Sequence, residues 1–407
     1  MKFEHRAIPI VLVAVLIDVI GFGIVMPVLP GLVTSLGHVK LDAAADIAGW
    51  MSAAFALAGF FAGPVLGNLG DRYGRRPVLI VSMCAFAIDY ALMSAAPTLA
   101  WLFVGRIIAG AAGATFGPAA AVIADVTPPE KRSAAFGMIG MAFGLGFILG
   151  PALGGISAGL GLRAPFVIAA ICAGLNAIIM FFFLPETLAQ ENRRPFRLRD
   201  AHIIGAFRPL FHAGNAAPLL LAWFLWQLAG TVYPTTWAFW AAIRFGWDAN
   251  AIGWSLAYVG LLTGLVQGFL TGRVIGRIGE RNAALLALAC ASVTLFAYAL
   301  TQQGWQVYAF FLIGAFGAFA YPALNGILSR MVDATRQGAL QGGIASMNNV
   351  TMILGPLIAS QALARGTRHG FDGAAFLVAG GLMAGAALII ALFVPAIRPG
   401  AAEPGSE

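Results

Sequence analysis

The stretch GNLGDRYGRR, at residues 67–76, decides the fold of this chain. It is rich in glycine and charge and lies between two apolar runs, in a protein that is 60% hydrophobic. Glycines permit a tight turn between two helix ends, and the arginines are expected where the second helix begins, at a membrane face. A basic loop that only sets topology is the alternative interpretation. The charged residues of the stretch are Asp71, Arg72, Arg75 and Arg76.

The same layout returns half a chain later, as GRVIGRIGER at residues 272–281. A shift of 205 positions places Gly67 on Gly272 and Gly74 on Gly279, whereas Asp71 falls on a glycine. The tetrapeptide ILGP recurs with the same shift, at residues 148–151 and 353–356. Two distant motifs with one offset predict two homologous halves, which is one of the known plans of secondary transporters. The repeat favours a functional motif over a loop that sets topology alone.

Composition predicts an all-α integral membrane protein. Only 10% of the 407 residues are charged and the mean hydropathy is +0.87, so lipid rather than water must surround most of the chain. The first apolar run is too long for a signal peptide and carries Asp18 near its middle. Twelve runs of spanning length occupy residues 7–33, 46–67, 77–96, 98–125, 133–160, 164–184, 215–241, 250–272, 281–301, 305–331, 337–364 and 372–395.

Positive charge orients the predicted spans. Most of the 24 Lys and Arg residues share one side if both termini are cytoplasmic, as expected of a multi-pass protein of a bacterial inner (plasma) membrane. The net charge of +7 is largely accounted for by these loops and gives no indication of nucleic-acid binding. The predicted domains are an N-terminal six-helix bundle (1–187), a cytoplasmic linker (188–214), a C-terminal six-helix bundle (215–397) and a disordered tail (398–407).

Three charged side chains are predicted at comparable depths inside the first half. Asp18 and Asp89 lie ~16 and ~18 Å from the ends of their spans, and Arg106 lies ~12 Å deep. Each costs about 2.5–3.5 kcal/mol at a helix centre, so each needs a cavity or a partner. One interpretation is a buried ion-pair cluster that holds the bundle together. The other is a centre for proton coupling and substrate binding, because low dielectric disfavours an ionised carboxylate while a nearby arginine favours it.

Further residues suggest a gate. Asp125 ends the fourth span, and its expected partner is Arg72 or another arginine of GNLGDRYGRR; an ordinary helix-end acid is the alternative. Asp333 is the expected counterpart in the second half. Span 5 carries GFILGPALGG, where small residues allow close packing and proline permits a bend. The candidate gating residues are Gly67, Asp71, Arg72, Gly74, Arg75, Arg76, Asp125, Gly150 and Pro151.

The second half offers amides instead of buried charges. Amides with aromatic rings suit a large, flat, partly polar ligand, although each one is also consistent with an interhelical hydrogen bond or an interfacial belt. The three cysteines lie in apolar runs and predict neither a disulfide framework nor a metal site, and no metal or cofactor is expected. The candidate substrate-binding residues of this half are Gln227, Gln267, Asn325, Asn348 and Trp254, and Gln341 and Asn349 are further amides.

These motifs together resemble those of the major facilitator superfamily, and within it the drug/proton antiporters with twelve spans. GNLGDRYGRR is similar to the superfamily's signature between spans 2 and 3, and LFVGRIIAGAAGA (102–114) is similar to its span-4 motif around a buried arginine. GPALGG (150–155) resembles the antiporter signature of span 5, and PETL (185–188) is typical after span 6. The resemblance implies twelve transmembrane helices in two homologous six-helix bundles, with gating roles for Asp71, Arg72 and Asp125.

Within the antiporters, the chain is most similar to the tetracycline/proton group. The likeness includes span 1 with Asp18 and GFGIVMPVLP, Asp89 in span 3, WQLAG with Gln227, and RQGALQGGIAS (336–346). It implies export of a hydrophobic, often cation-complexed antibiotic in exchange for protons, with Asp18 and Asp89 in binding or coupling. Efficient members carry a histidine in span 8 and an aspartate in span 9, where this chain has Thr263 and Ala291. Coupling would therefore rest on the carboxylates of the first half.

The predicted function is proton-coupled efflux of hydrophobic or cationic antibiotics, above all tetracycline-like compounds, by alternating access. Asp18, Asp89 and Arg106 are the candidates for both proton coupling and substrate binding. An uncoupled facilitator, or an exporter of an endogenous metabolite, is the alternative. The sequence shows no pairing of a nucleophile with a base that would indicate an enzyme. The expected partners are a small-molecule drug, protons and the lipid bilayer, without nucleic acid, and the chain is expected to be a monomer.

Overall fold

The computed structural model describes residues 4–112, 116–128, 132–193, 216–330 and 337–395, and these ranges contain helices and no strand. The first eight helices are α1 (Glu4–Val25), α2 (Leu29–Gly37), α3 (Leu41–Tyr73), α4 (Arg75–Ala95), α5 (Leu99–Ala112), α6 (Phe116–Val126), α7 (Arg132–Ala158) and α8 (Ala164–Phe183). The others are α9 (Ala217–Gly230), α10 (Val232–Phe245), α11 (Ala249–Leu265), α12 (Thr271–Leu300), α13 (Gly304–Gly314), α14 (Ala320–Arg330), α15 (Gln337–Arg368) and α16 (Ala374–Phe393). Short pieces complete the order: a 3₁₀ turn (Gln190–Asn192), a π-helix (Val266–Leu270) and a 3₁₀ helix (Ala315–Phe319).

Nine helical stretches in the described ranges are long and apolar enough to cross a membrane. One of them, Ala249–Leu300, is 52 residues long and covers two of the predicted spans, because the helices on either side of Gly279 run together across a kink. The predicted seventh span is instead divided into α9 and α10, of 14 residues each, with Thr231 between them. The prediction of an all-α integral membrane protein is confirmed.

GNLGDRYGRR forms the junction of two helices rather than a separate loop. α3 continues to Tyr73 and α4 starts at Arg75, so a single residue, Gly74, makes the turn with φ 109° and ψ 161°. A side chain with a Cβ atom rarely adopts this conformation, which explains the glycine. Its counterpart in the repeat, Gly279, has φ 79° and ψ 162°. The two copies of the motif therefore share a backbone turn as well as a sequence.

The chain separates into two compact units, of which the first comprises Met1–Ile203 and Ala241–Gly260. Within it, α1 packs along α7 and α8, α4 packs against α8 and α5, and α3 packs against α5. Glycines bring α7 close to its neighbours: a Cβ atom at Gly150 would lie 2.8 Å from the Cα atom of Gly23 on α1. A Cβ atom at Gly155 would lie 2.9 Å from the carbonyl oxygen of Ala249, where α11 begins.

The second unit comprises Ile204–Trp240 and Leu261–Glu407. In it, α16 packs against α12 and α9, and α12 packs against α14. Its core is aromatic: the ring centroid of Trp237 lies 5.3 Å from those of Trp240 and Tyr298, and Trp240 lies 4.7 Å from Phe376. Such rings bury much apolar area in fixed geometry, which suits a helix core. The predicted boundaries after residues 187, 214 and 397 stay predictions, and 194–215 and 396–407 lie outside the described ranges.

Candidate functional site

The interior of the first unit holds a buried ion pair between two helices. Arg106 on α5 donates a hydrogen bond from Nη2 to Oδ2 of Asp89 on α4, and the Asp89 side chain is 0% exposed. The pair requires a glycine beside it, because a Cβ atom at position 105 would lie 2.5 Å from Asp89 Oδ1. In low dielectric, such a pair persists only when each charge neutralises the other. Asp89 and Arg106, two of the three charges that the sequence placed at comparable depths, thus form one ion pair.

Aromatic rings enclose the guanidinium group of Arg106. Its central carbon lies 5.6 Å from the ring centroid of Phe55 on α3 and 6.0 Å from that of Tyr90 on α4. Cation–π attraction is strongest where the cation is desolvated, as here. Oδ1 of Asp89 and Nε of Arg106 have no hydrogen-bond partner within the described part of the chain. The pair therefore retains one acceptor and one donor for a ligand, a proton or water.

Asp18 reaches this cluster from α1. Its side chain is half-buried, and it lies three residues before Gly21, which meets the hydroxyl group of Tyr90. The hydroxyl group lies against Gly21, one helical turn beyond Asp18: a Cβ atom at that glycine would be 3.1 Å from the phenol oxygen. The three charges of the first half are therefore arranged around one tyrosine. The sequence did not point to Tyr90, because an aromatic residue inside a span indicates packing in most cases.

A second charged cluster occupies the junction of α3 and α4. Nη1 of Arg75 lies 2.7 Å from Asp71 Oδ1, and Nε of Arg75 lies 3.5 Å from Asp125 Oδ2 at the end of α6. The partner of Asp125 is thus Arg75, one of the arginines that the sequence left open. Arg72, the other named candidate, lies over the ring of Tyr73 at 4.9 Å. Arg76 donates to the carbonyl oxygen of Phe181 at 2.5 Å.

Glu186 completes this cluster and was missed in the sequence. Its carboxylate accepts hydrogen bonds from the backbone N–H groups of Arg75 at 2.9 Å and Arg76 at 3.3 Å, at the first turn of α4. An anion is favourable at this position because the helix N-terminus has free N–H groups and a positive partial charge. The neighbouring Thr187 lies 3.4 Å from Asp125. The available signal was PETL at 185–188, which by itself indicates only the family.

The remaining gating candidates differ in their surroundings. Gly150 lies in the close contact between α7 and α1, and Pro151 meets α11, since its carbonyl oxygen would contact a Cβ atom at Gly253. At Gly67, by contrast, a Cβ atom would meet nothing within 4 Å. The geometry thus shows a packing reason for a small residue at position 150 and shows none at position 67. Asp333 lies outside the described residues.

The second unit contains a related ion pair with its charges exchanged. Glu280 Oε1 lies 2.8 Å from Arg330 Nη2, and the two residues stand 205 positions after Arg75 and Asp125. The first pair joins the start of α4 to the end of α6, and the second joins the residue after the Gly279 kink of α12 to the end of α14, with the arginine and the acid exchanged. Arg281, the counterpart of Arg76, also donates to the backbone at the end of the last helix, to the carbonyl oxygens of Ala391 and Val394.

The amide and aromatic candidates of the second half are only partly assembled. Trp223 donates from Nε1 to Oδ1 of Asn348 at 3.0 Å, and its ring meets those of Trp226 at 5.2 Å and Tyr321 at 5.6 Å. Gln227 and Asn325 are half-buried, whereas Gln267 is exposed on the π-helix. Trp254 is 54% exposed and belongs to the first unit. The side chain of Gln341 lies outside the described part of the structure.

Comparisons with known proteins agree with this architecture. A family model described as Major Facilitator Superfamily matches residues 11–312 and 229–407. The chain is 39% identical over 398 residues to the tetracycline resistance protein, class C, of Escherichia coli, covering 98% of each chain. It is 36% identical over 353 residues to the class B protein of Escherichia coli, with 86% of each chain covered. The crystal structure of the human organic anion transporter MFSD10 is similar, with a TM-score of 0.71, 25% identity and coverage of 95% of this chain and 99% of that one.

Proposed function

We propose that this chain, which belongs to the major facilitator superfamily of transporters, exports tetracycline-like antibiotics in exchange for protons. The observation that carries the proposal is the buried Asp89–Arg106 pair with Asp18 beside it, in a chain 39% identical to a tetracycline resistance protein. Membership of this family makes the protein a multi-pass membrane transporter rather than an enzyme. We place it as a monomer in a bacterial inner membrane, with both termini and the GNLGDRYGRR junction facing the cytoplasm.

The buried charges account for exchange between drug and proton. A cationic or cation-complexed drug is attracted by the carboxylates of Asp18 and Asp89. A proton that binds to either carboxylate neutralises it and removes its attraction for the drug. Release of the proton restores the attraction. Because a charge in low dielectric is costly, the site favours states in which either a drug or a proton balances the acids. Asp18 is half-buried and is the better candidate for the exchanging acid, since Asp89 is fully buried and already balanced by Arg106.

Coupling through the first half is consistent with the residues at two positions of the second half. Thr263 and Ala291 stand where the tetracycline/proton group has a histidine and an aspartate, and neither can carry a proton. The cluster of Arg75 with Asp71 and Asp125 would serve as the gate, holding the ends of α3, α4 and α6 together in one state of the alternating-access cycle. Its rupture would accompany the change to the other state.

An uncoupled facilitator or an exporter of an endogenous metabolite is the second candidate. It is favoured by the missing ionisable groups at positions 263 and 291. The two candidates differ in one measurable property. Antiport moves protons against the drug, so an imposed pH gradient accelerates uptake, whereas a facilitator equilibrates its substrate at the same rate with and without the gradient.

The test uses purified protein in proteoliposomes with tetracycline and an imposed pH gradient. We expect gradient-driven accumulation, its loss in Asp18→Asn, and a pH-independent residual exchange. Glu191→Gln, the same acid-to-amide change at an exposed turn, is the matched control and should transport normally. Asp89→Asn is compared with the double variant Asp89→Asn/Arg106→Gln: recovery in the double variant would assign the pair to structure alone. Flux that ignores the gradient in the unmodified protein would refute antiport.

A further inference from the structure

Tyr90 stands between the two parts of the charged cluster. Its ring is 2% exposed and stacks on Phe86 with centroids 6.2 Å apart and planes inclined by 20°. The guanidinium carbon of Arg106 lies 6.0 Å from the same ring. Its hydroxyl group points to α1, where it lies against Gly21, one turn beyond Asp18. The ring of Tyr90 thus faces the Asp89–Arg106 pair, and its hydroxyl group lies on the side of α1 near Asp18.

Packing alone explains the ring but not the hydroxyl group. A phenylalanine would fill the same space and would give the same stacking and cation–π contact, without a buried polar atom to desolvate. Tyrosine adds one O–H donor, which is used when it faces an acceptor. Residues three apart on a helix lie side by side on its surface, so Asp18 is the acidic side chain of α1 that stands next to Gly21 and this hydroxyl group. The glycine at position 21 leaves the room that the hydroxyl group occupies.

The charged groups around Tyr90 are few within the described residues. Its own helix brings Asp89, α5 brings Arg106, and α1 brings Asp18. From α8, the buried residue facing this region is the neutral Asn176, which donates to Ala14 of α1 and to Met83 of α4. α3 and α6 present Asp71 and Asp125 at the far end of α4, where both meet Arg75. Among the described residues, Asp18, Asp89 and Arg106 are therefore the charged side chains on the helices that meet Tyr90.

We propose that Tyr90 is a positioning residue that couples Asp18 to the Asp89–Arg106 pair: its ring holds the guanidinium group, and its hydroxyl group stabilises the ionised carboxylate of Asp18. The proposal deepens the proposed antiport and rests on it for its role in transport. A donor facing a carboxylate favours the charged form. Tyr90 thereby sets the pH range over which Asp18 exchanges its proton.

The experiment compares Tyr90→Phe with the unmodified protein in two measurements. Infrared difference spectroscopy of the purified protein follows the protonated-carboxyl band, assigned to Asp18 by its absence in Asp18→Asn. We expect the midpoint of this titration in Tyr90→Phe to move about 1 pH unit to higher pH, because the ionised form has lost a donor. The pH profile of gradient-driven tetracycline uptake should shift in the same direction.

Tyr298→Phe is the matched control. Tyr298 is also a buried tyrosine, 1% exposed, but it lies in the aromatic core of the second unit. It should leave both the titration midpoint and the transport profile unchanged. An unchanged midpoint in Tyr90→Phe, or an equal shift in Tyr298→Phe, overturns the proposal for Tyr90. The infrared titration needs no transport, so it decides the role of Tyr90 even if the unmodified protein shows no proton-driven uptake and the antiport proposal fails.

Discussion

At the scale of the residue, Gly74 is constrained both by its backbone conformation and by its neighbour. Its φ of 109° lies in the region that L-residues rarely adopt, and a Cβ atom there would overlap the carboxylate of Glu186. The same carboxylate accepts the N–H groups of Arg75 and Arg76. Turn, helix cap and charge cluster therefore depend on one missing side chain, because a larger residue would move Glu186 away from the helix N-terminus that it neutralises.

Replacing Gly74 by alanine should damage both stability and transport. Backbone strain of this kind costs about 1–3 kcal/mol, and the displaced carboxylate would leave two N–H groups without their acceptor. We expect a lower unfolding temperature in detergent and slower tetracycline uptake. Gly67→Ala is the matched control, since it lies inside α3 where a Cβ atom meets nothing within 4 Å. Equal damage from both substitutions would show that the turn at Gly74 is not the reason.

The residues of the candidate site could be predicted from the sequence more successfully than the contacts between them. The sequence located Asp18, Asp89 and Arg106 by their cost in lipid, a property of single residues. It also placed Asp125 with the arginines of GNLGDRYGRR, but could not choose Arg75, because that choice depends on the helical direction fixed by Gly74. Glu186 was missed, because PETL alone does not show that its carboxylate meets Arg75 across 111 positions of sequence. Contacts between distant helices depend on packing, which periodicity does not encode.

At the scale of the element, the two helix junctions are built alike but charged in opposite senses. In the first, Arg75 begins α4 and Asp125 lies near the end of α6; in the second, Glu280 follows Gly279 and Arg330 ends α14. The pairs differ in exposure: the side chain of Arg75 is 16% exposed and that of Arg330 is 64% exposed. An exposed ion pair is screened by water and adds little to the stability of the protein. A partly buried pair is screened less, and its charge-assisted hydrogen bonds are stronger. The repeat predicted the shared turn, but not the exchange of charges.

The two junctions should therefore respond unequally to loss of the arginine. Arg75→Gln removes a bond to Asp71 and one to Asp125, and we expect a loss of about 1–3 kcal/mol in stability. Arg330→Gln should cost less than about 1 kcal/mol. Thermal unfolding in detergent at low and high salt measures both, and only the Arg330 effect should vanish at high salt. A larger loss for Arg330→Gln would contradict the difference in burial.

At the scale of the whole molecule, contacts between the described helices show which loops lie at the same end of the first unit. The loop after α7 lies at the far end of α4 from Gly74, because Arg163 donates to the carbonyl oxygens of Ser94 and Ala96 at 2.9 and 2.8 Å. Tyr73 and Leu160 therefore mark opposite ends of the first unit. The excess of Lys and Arg in the loops on the Tyr73 side is the reason for placing that side in the cytoplasm.

Cysteine labelling tests this placement directly. In a background with Cys84, Cys172 and Cys290 replaced by alanine, single cysteines are introduced as Tyr73→Cys and Leu160→Cys, where the native side chains are 52% and 82% exposed. A membrane-impermeant maleimide should label Leu160→Cys in intact cells or spheroplasts, and Tyr73→Cys only in everted vesicles. Positive charge in short loops sets the orientation of the spans. Removing the basic residues of GNLGDRYGRR should therefore reduce the difference in labelling between the two cysteines. Labelling of Tyr73→Cys from outside the cell would show that the orientation is opposite to the one proposed. The direction in which a proton gradient could drive transport would then also be opposite.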